Sequence, residues 1–174
     1  WSLHTDIEHV SFSTLLPRKR IVMQVSQWLD ILINARIMSA MHMDITNDGI
    51  DPILLPGEQQ FSLEMDDGRR LRGYFRDTGA GPIGIYLHGF RSHCNGEKSL
   101  QIARHAAQLN RSGLRFDLRG HGVSDGELKE QTITHALEDL LRVIDRFGER
   151  SCVLHGSSMG AWISLLGALR RKSV

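Results

Sequence analysis

The sequence predicts an α/β protein with a mostly parallel sheet and an N-terminal β-hairpin. Polar and apolar residues alternate over 58–76 around an Asp-Gly pair, which is the pattern of a hairpin. Continuous apolar runs at 82–87 and 152–156 are typical of buried strands. Apolar residues at helical spacing follow each of the later strands. A hairpin followed by alternating strands and helices is the layout of a largely parallel sheet.

The predicted elements follow one another with short connections. The hairpin strands cover 61–65 and 71–75, with Asp67 and Gly68 in the turn. The next two strands read PIGIYLHG, from residue 82, and GLRFDLRG, from residue 113. Two helices are marked by apolar stripes: Leu100, Ala103, Ala106 and Ala107 in the first, and Ile133, Leu137, Leu140, Leu141, Ile144 and Phe147 in the second. A last helix over 161–169 is apolar on nearly all sides, so we expect it to be buried.

Composition favours a globular protein and excludes several classes of function. The 174 residues are 41% hydrophobic and 24% charged, which suits one domain of about 100–200 residues. The formal net charge of +1, without a basic block interleaved with aromatics, predicts no nucleic-acid partner. No run approaches the roughly 20 apolar residues of a membrane span, so no transmembrane segment is predicted. Cys94 and Cys152 are too few for a disulfide framework and are expected to be reduced.

Residues 1–57 form a predicted N-terminal extension. Apolar residues from Ile21 to Leu32 recur at helical spacing behind the basic run at 18–20, which predicts an amphipathic helix. Such a helix either packs on the domain or contacts a membrane surface, and the second alternative includes targeting to an organelle. Pro52, Pro56 and Gly57 mark a linker, after which the α/β domain occupies 58–174.

The stretch CVLHGSSMGAW, residues 152–162, combines a strand, a corner of glycine and serine, and the start of a helix. The corner fits the pattern GxSxG with Gly156, Ser158 and Gly160. A strand that turns sharply into a helix holds the serine in a strained conformation with its Oγ exposed at the edge of the sheet. The glycines leave room for the neighbouring strand and helix. We therefore predict that Ser158 is a nucleophile, and a plain structural turn is the alternative.

Two backbone N–H groups are predicted to stabilise negative charge beside Ser158. The N–H of Met159 lies at the positive end of the helix that follows the corner. The strand at 82–87 ends in His88 and Gly89, which leaves the N–H of Phe90 free to donate to the same point. An oxyanion that forms when the serine attacks a carbonyl would accept hydrogen bonds from both donors.

From about Phe61 to the C-terminus the sequence resembles the N-terminal part of an α/β-hydrolase. The stretches that carry the resemblance are HGF at 88–90, FDLRGHGVSDG at 116–126 and GSSMGAW at 156–162. Within that family, HGFRSHCNGEKSL and TITHALEDLLRVID are similar to the branch that contains a mitochondrial acyl-protein thioesterase and its bacterial relatives. The resemblance implies hydrolysis of a carboxylic ester or thioester through an acyl-enzyme on Ser158.

The family places its catalytic acid and histidine after the serine, and this sequence has no Asp, Glu or His beyond Ser158. His88 and His155 lie on strands, and neither side chain is expected to reach the serine Oγ. His121, in a loop at the same edge of the sheet, is a less favoured substitute base. We therefore expect an incomplete hydrolase domain that ends after the helix following Ser158. Such a domain leaves the strand at 152–156 on an uncovered edge of the sheet. We expect it to be inactive alone.

The sequence predicts no cofactor and no metal. GAGPIG at 79–84 fits GxGxxG, but a strand rather than a helix follows it. The scattered candidates for a metal site lack the spacing of metal ligands: His88, His93, Cys94, His105 and His121. The expected partner is a small-molecule ester or thioester, and the expected location is the cytoplasm, with the mitochondrion as the alternative. The alternative function is a catalytically inactive protein that binds a partner through its open sheet edge or its N-terminal helix.

Overall fold

A computed structural model describes residues 52–147 and 149–171, so the predicted amphipathic helix and nearly all of the extension lie outside the described residues. A short 3-10 turn at Leu128–Glu130 precedes the second helix. The strands and helices are β1 Gln59–Glu64, β2 Arg70–Arg76, β3 Ile83–Leu87, α1 Glu97–Gln108, β4 Ser112–Phe116, α2 Ile133–Phe147, β5 Cys152–Gly156 and α3 Met159–Arg171. The division of the chain at residue 57 stays a prediction.

The strands form one mixed sheet in the order β1-β2-β4-β3-β5. Strand β3 lies between β4 and β5 and pairs with both in parallel. The hairpin β1-β2 joins the sheet through an antiparallel pairing of β2 with β4. The predicted α/β architecture with an N-terminal hairpin is confirmed. Among residues 52–147 and 149–171, β5 pairs with β3 alone, so it lies at the edge that the sequence led us to expect.

Helices cover the sheet on both faces. Helices α2 and α3 pack against each other, and α3 also packs on β3 and β5. Helix α1 lies against β3 and β4. The main core is almost fully buried and consists of Leu71, Ile83, Ile85, Leu87, Leu114, Phe116, Leu118, Ala136, Leu140, Val143, Ile144, Cys152, Leu154 and Ile163. Because β3, β4 and β5 are parallel, the loops after their carboxyl ends meet at one edge of the sheet, where α/β proteins bind ligands.

The expectation that the last helix is buried on nearly all sides is wrong. Ile163, Ser164 and Gly167 of α3 are buried, which leaves the opposite face of the helix open. Trp162 and Leu169 on that face are each 55% exposed. The apolar composition of α3 therefore predicts more burial than this helix has among the described residues.

Candidate active site

Ser158 occupies the sharp turn between β5 and α3. Its φ of +53° lies in the left-handed region, which non-glycine residues rarely adopt because Cβ then approaches the following carbonyl. The turn leaves the serine exposed at the carboxyl edge of the sheet. Strain held at one residue by a rigid strand and a rigid helix is characteristic of functional sites.

The two glycines of the motif are required by close backbone packing. A Cβ on Gly156 would overlap the backbone of Gly160 and Ala161, so strand β5 and helix α3 meet without space for a side chain. A Cβ on Gly160 would overlap the carbonyl oxygen of Leu87 and lie 2.5 Å from that of His88. The elbow therefore fits directly against the end of β3.

Residues 88–90, which we call the oxyanion corner, lie beside the turn at 156–160, which we call the elbow, as the sequence predicts. The N–H of Ser157 donates a hydrogen bond of 3.1 Å to the carbonyl of Leu87. A Cβ placed on Gly89 would be 3.4 Å from Cβ of Ser158. The fold thus brings the predicted oxyanion corner and the predicted nucleophile into contact.

The backbone N–H groups of Phe90 and Met159 are unused. Neither N–H donates to any backbone or side-chain acceptor within the described ranges. Met159 is the first residue of α3, where N–H groups have no partner within the helix and the helix dipole is positive. Both predicted donors are therefore available to an anionic oxygen. The Met159 side chain packs against the core.

The two consecutive serines differ in their surroundings. Ser157 hydrogen-bonds to Tyr86, whose pKa burial raises to about 12. The Nζ of Lys98 also donates to the Ser157 hydroxyl, at 3.4 Å. The hydroxyl of Ser158, in contrast, has no hydrogen-bond partner among the residues that the structure describes. Of the pair, Ser158 is therefore the one whose surroundings fit the predicted nucleophile.

None of the described histidines forms a hydrogen bond with Ser158. The imidazole of His88 bonds to the backbone at Gly89 and Leu118, and that of His121 to the backbone at Arg91 and Arg119. His155 is half-buried in β5, and burial lowers its pKa. None of the three hydrogen-bonds to the serine, as we expect for His88 and His155. His121, the less favoured substitute base, bonds to backbone groups instead.

Polar side chains from the region of β4 hold the loop that follows the oxyanion corner. Asp117 accepts hydrogen bonds from the N–H of Cys94, at 2.6 Å, and of Val123, at 3.1 Å. Burial raises the pKa of Asp117, and these two N–H groups oppose the rise. Arg119 bonds to Asp139 of α2 at 2.7 Å. Both side chains therefore hold the loops around them.

Arg115 is a structural residue that the sequence analysis did not identify. Its guanidinium is 2% exposed and contacts Glu58, the carbonyl of Cys94 and the side chain of Asn95. It also stacks over the ring of Tyr74 at 4.0 Å. The signal in the sequence is alternation: Arg115 lies between two core residues of β4 and so points to the opposite face of the sheet.

The described residues provide neither a metal-binding cluster nor a membrane-spanning helix. No group of three or more His, Cys, Asp or Glu side chains there is arranged to hold a metal ion. No helix within 52–147 and 149–171 has the length and apolar character needed to cross a membrane. Cys94 and Cys152 are buried and form no disulfide, and burial raises the pKa of the Cys94 thiol.

Two comparisons by sequence relate the chain to known proteins. The family described as serine aminopeptidase, S33, matches residues 83–174, which is more than half of the chain. Curated relatives include the mitochondrial palmitoyl-protein thioesterase ABHD10 of Bos taurus, 38% identical over 98 residues, and that of Homo sapiens, 36% identical. Each match covers 56% of this chain and 32% of the relative, so the matched segment spans about a third of the relatives' length.

Solved structures show the same fold. A protein from Agrobacterium vitis S4 assigned as a hydrolase has a TM-score of 0.64 and 34% identity, covering 67% of this chain and 47% of that one. The alpha/beta hydrolase domain-containing protein 10 from mouse has a TM-score of 0.62 and 31% identity, covering 66% and 45%. With an elbow at Ser158 on a sheet of this topology, the chain belongs to the serine aminopeptidase S33 family of α/β-hydrolases.

Proposed function

We propose that this chain carries the nucleophile and the oxyanion donors of a serine hydrolase that cleaves carboxylic esters or thioesters. The observation that supports this most strongly is the exposed Ser158 at φ +53°, held between two glycines that tolerate no side chain. A plain turn requires neither the strain nor the unused N–H groups of Phe90 and Met159.

The reaction proceeds through an acyl-enzyme. The Oγ of Ser158 attacks the acyl carbon, forming a C–O bond while the carbonyl π electrons move onto oxygen. The N–H groups of Phe90 and Met159 donate to that oxyanion. Collapse of the intermediate breaks the bond to the leaving alcohol or thiol, which takes the proton that a base removed from Oγ. Water then releases the acid by the same steps.

The base and its acidic partner are proposed to come from outside the 174 residues. Enzymes of this fold place both after the serine, and no Asp, Glu or His follows Ser158 here. The curated relatives are about three times as long as the segment that they share with this chain. Without a base, the oxyanion donors and binding alone retain only roughly 10³–10⁴-fold catalysis over water.

The relatives favour a particular substrate and location. The curated proteins are named palmitoyl-protein thioesterases and mitochondrial, so we propose a long-chain acyl thioester as substrate and the mitochondrion as location. An ester substrate and the cytoplasm are the other outcomes. Hydrolysis of palmitoyl against acetyl thioesters by the complete gene product distinguishes the substrate classes, and import into isolated mitochondria tests the location.

Sequencing the transcript past Val174 and labelling its product with a fluorophosphonate test the proposal. We expect an open frame with an acidic residue and then a histidine, and labelling that the Ser158→Ala variant abolishes. Ser157→Ala is the matched control, because it removes the neighbouring hydroxyl and keeps that of Ser158. This variant should still be labelled. A complete, folded product that is inert to the probe contradicts the proposal.

A binding protein without catalysis is the second candidate. The observation that favours it is the exposed apolar face of α3, with Trp162, Leu165 and Leu169, near the open edge at β5. A stop codon after Val174 and a monodisperse 174-residue product that does not react with the probe support this candidate. Labelling that depends on Ser158 excludes it as the sole function.

A further inference from the structure

We propose that the neutral imidazoles of His88 and His121 aim the N–H of Phe90, and are thus positioning residues for the oxyanion site. The inference rests on the proposed function, since it concerns a donor of that site. It adds a role for two histidines that are not members of a catalytic triad. Both are buried, and among the described residues both form hydrogen bonds to backbone atoms of the loops after β3 and β4.

His88 fixes the peptide unit that carries the donor. The carbonyl of Gly89 accepts hydrogen bonds from Nδ1–H of His88, at 2.8 Å, and from the N–H of Ser92, at 3.2 Å. That carbonyl and the N–H of Phe90 belong to one planar trans peptide unit, so they point in opposite directions. Two bonds that set the direction of the oxygen therefore also set the direction of the N–H.

His121 fixes the other side of the same residue. Its Nε2 accepts a hydrogen bond of 3.2 Å from the N–H of Arg91, the residue after Phe90. Arg91 has a φ of +54°, a strained conformation that needs support from its surroundings. Phe90 is thus held at both ends, while its own N–H remains unused among the described residues.

The hydrogen bonds determine the tautomer of both rings. A backbone N–H can only donate and a carbonyl can only accept. The Nε2 atom of His88 accepts from the N–H of Leu118, at 3.1 Å, while Nδ1 faces a carbonyl, so the ring is neutral and protonated at Nδ1. His121 has the same arrangement, with Nδ1 facing the carbonyl of Arg119 at 3.2 Å.

Protonation of His121 removes the acceptor for the N–H of Arg91, and protonation of His88 removes the acceptor for the N–H of Leu118. Burial lowers the pKa of His88 to about 3 and also lowers that of His121. The groups that face the pair are the carboxylate of Asp117, 3.8 Å from Nε2 of His88, and the imidazole of His93. The two rings lie 4.9 Å apart, so a charge on one disfavours a charge on the other.

Two variants of His88 separate the donor from the acceptor. The amide nitrogen of His88→Asn reaches the position of Nδ1 and still donates to Gly89, whereas His88→Gln reaches the position of Nε2 and accepts from Leu118 instead. In the complete gene product we expect His88→Asn to keep fluorophosphonate labelling within a few fold of wild type. We expect His88→Gln to slow the maximal rate by roughly 10–100-fold with unchanged probe affinity, because an oxyanion donor is misdirected. Equal rates for the two variants overturn the proposal.

A spectroscopic measurement tests the geometry without activity. In a two-bond ¹H–¹⁵N correlation spectrum of the folded wild-type protein at pH 7, both His88 and His121 should show the neutral tautomer protonated at Nδ1. A ring protonated at Nε2 overturns the proposal even where labelling succeeds. The expected tautomers in a complete gene product that never reacts with the probe leave the positioning intact and refute the hydrolase function instead.

Discussion

Gly160 lies directly against the carbonyl oxygen of Leu87, and a Cβ on residue 160 would overlap that atom. The same oxygen accepts the hydrogen bond from the N–H of Ser157. One atom at the end of β3 therefore determines the position of the elbow in two ways, by a hydrogen bond and by steric exclusion. The relation requires glycine at position 160, and it connects strand pairing in the sheet to the placement of Ser158.

The first prediction follows from this contact. Gly160→Ala should lower the free energy of unfolding by about 1–3 kcal/mol or more, because backbone atoms of β3 must move to admit the methyl group. Chemical denaturation measures the loss. Gly113→Ala is the matched control: its Cβ would meet its nearest neighbour at 3.7 Å, an ordinary contact, so stability should change by under about 1 kcal/mol. Equal losses of unfolding free energy in the two variants would show that the methyl group at residue 160 does not overlap the carbonyl oxygen of Leu87.

The second prediction concerns the strain at Ser158. Ser158→Gly should raise the free energy of unfolding by roughly 0.5–1 kcal/mol, because glycine adopts a φ of +53° without the steric penalty of a side chain. Ser158→Ala removes the same hydroxyl but keeps the strain, so its stability should stay near that of wild type. Thermal denaturation of both variants separates the two effects. A Ser158→Gly protein less stable than Ser158→Ala would contradict the inferred strain.

Local patterns in the sequence predict the elbow and the corner because the chemistry there depends on neighbouring residues. Glycines two positions on either side of Ser158, after an apolar run, are sufficient to predict a strand, a sharp turn and a helix. The supports of the site depend on residues far apart in the chain. His121 meets Arg91 across 30 positions, and Arg115 meets Glu58 across 57, distances over which no periodicity carries information.

Burial of polar groups is also hard to predict from a single sequence. His88 follows a strand as an ordinary surface histidine does, yet it is fully buried because the loop after β4 supplies a donor to its ring. For helix α3 the sequence predicts too much burial instead of too little. A helix that is apolar on all sides is buried only where neighbouring elements cover it.

The third prediction concerns the buried ion pair between Glu58 and Arg115. The two side chains are 4% and 2% exposed and lie 2.6 Å apart. Glu58→Ala should lower the free energy of unfolding by about 3–5 kcal/mol, because it leaves the guanidinium buried without its charge partner. Urea denaturation measures the change. Removal of Asp66, which pairs with Arg142 at the surface, is the control and should change stability by less than about 1 kcal/mol. A small loss from Glu58→Ala would mean that water reaches Arg115.

The last prediction is the pH dependence that the imidazole of His88 imposes on stability. Burial lowers the pKa of His88 from 6.5 to about 3, so the folded protein binds fewer protons than the unfolded chain between these values. The contribution of the neutral ring is therefore complete above pH 6.5 and is lost as the pH falls toward 3. Burial raises the pKa of Asp117, and protonation of that carboxyl changes stability in the opposite direction as the pH falls.

Comparison with a variant isolates the histidine from that opposing group. The difference in unfolding free energy between wild type and His88→Asn should be largest above pH 6.5 and should shrink by up to about 1.4 kcal/mol per pH unit below it. Urea denaturation at several pH values between 7 and 4 measures this difference, with Asp117 present in both proteins. A difference that does not change with pH would mean that His88 is not held neutral, and its Nε2 would then not accept from the N–H of Leu118.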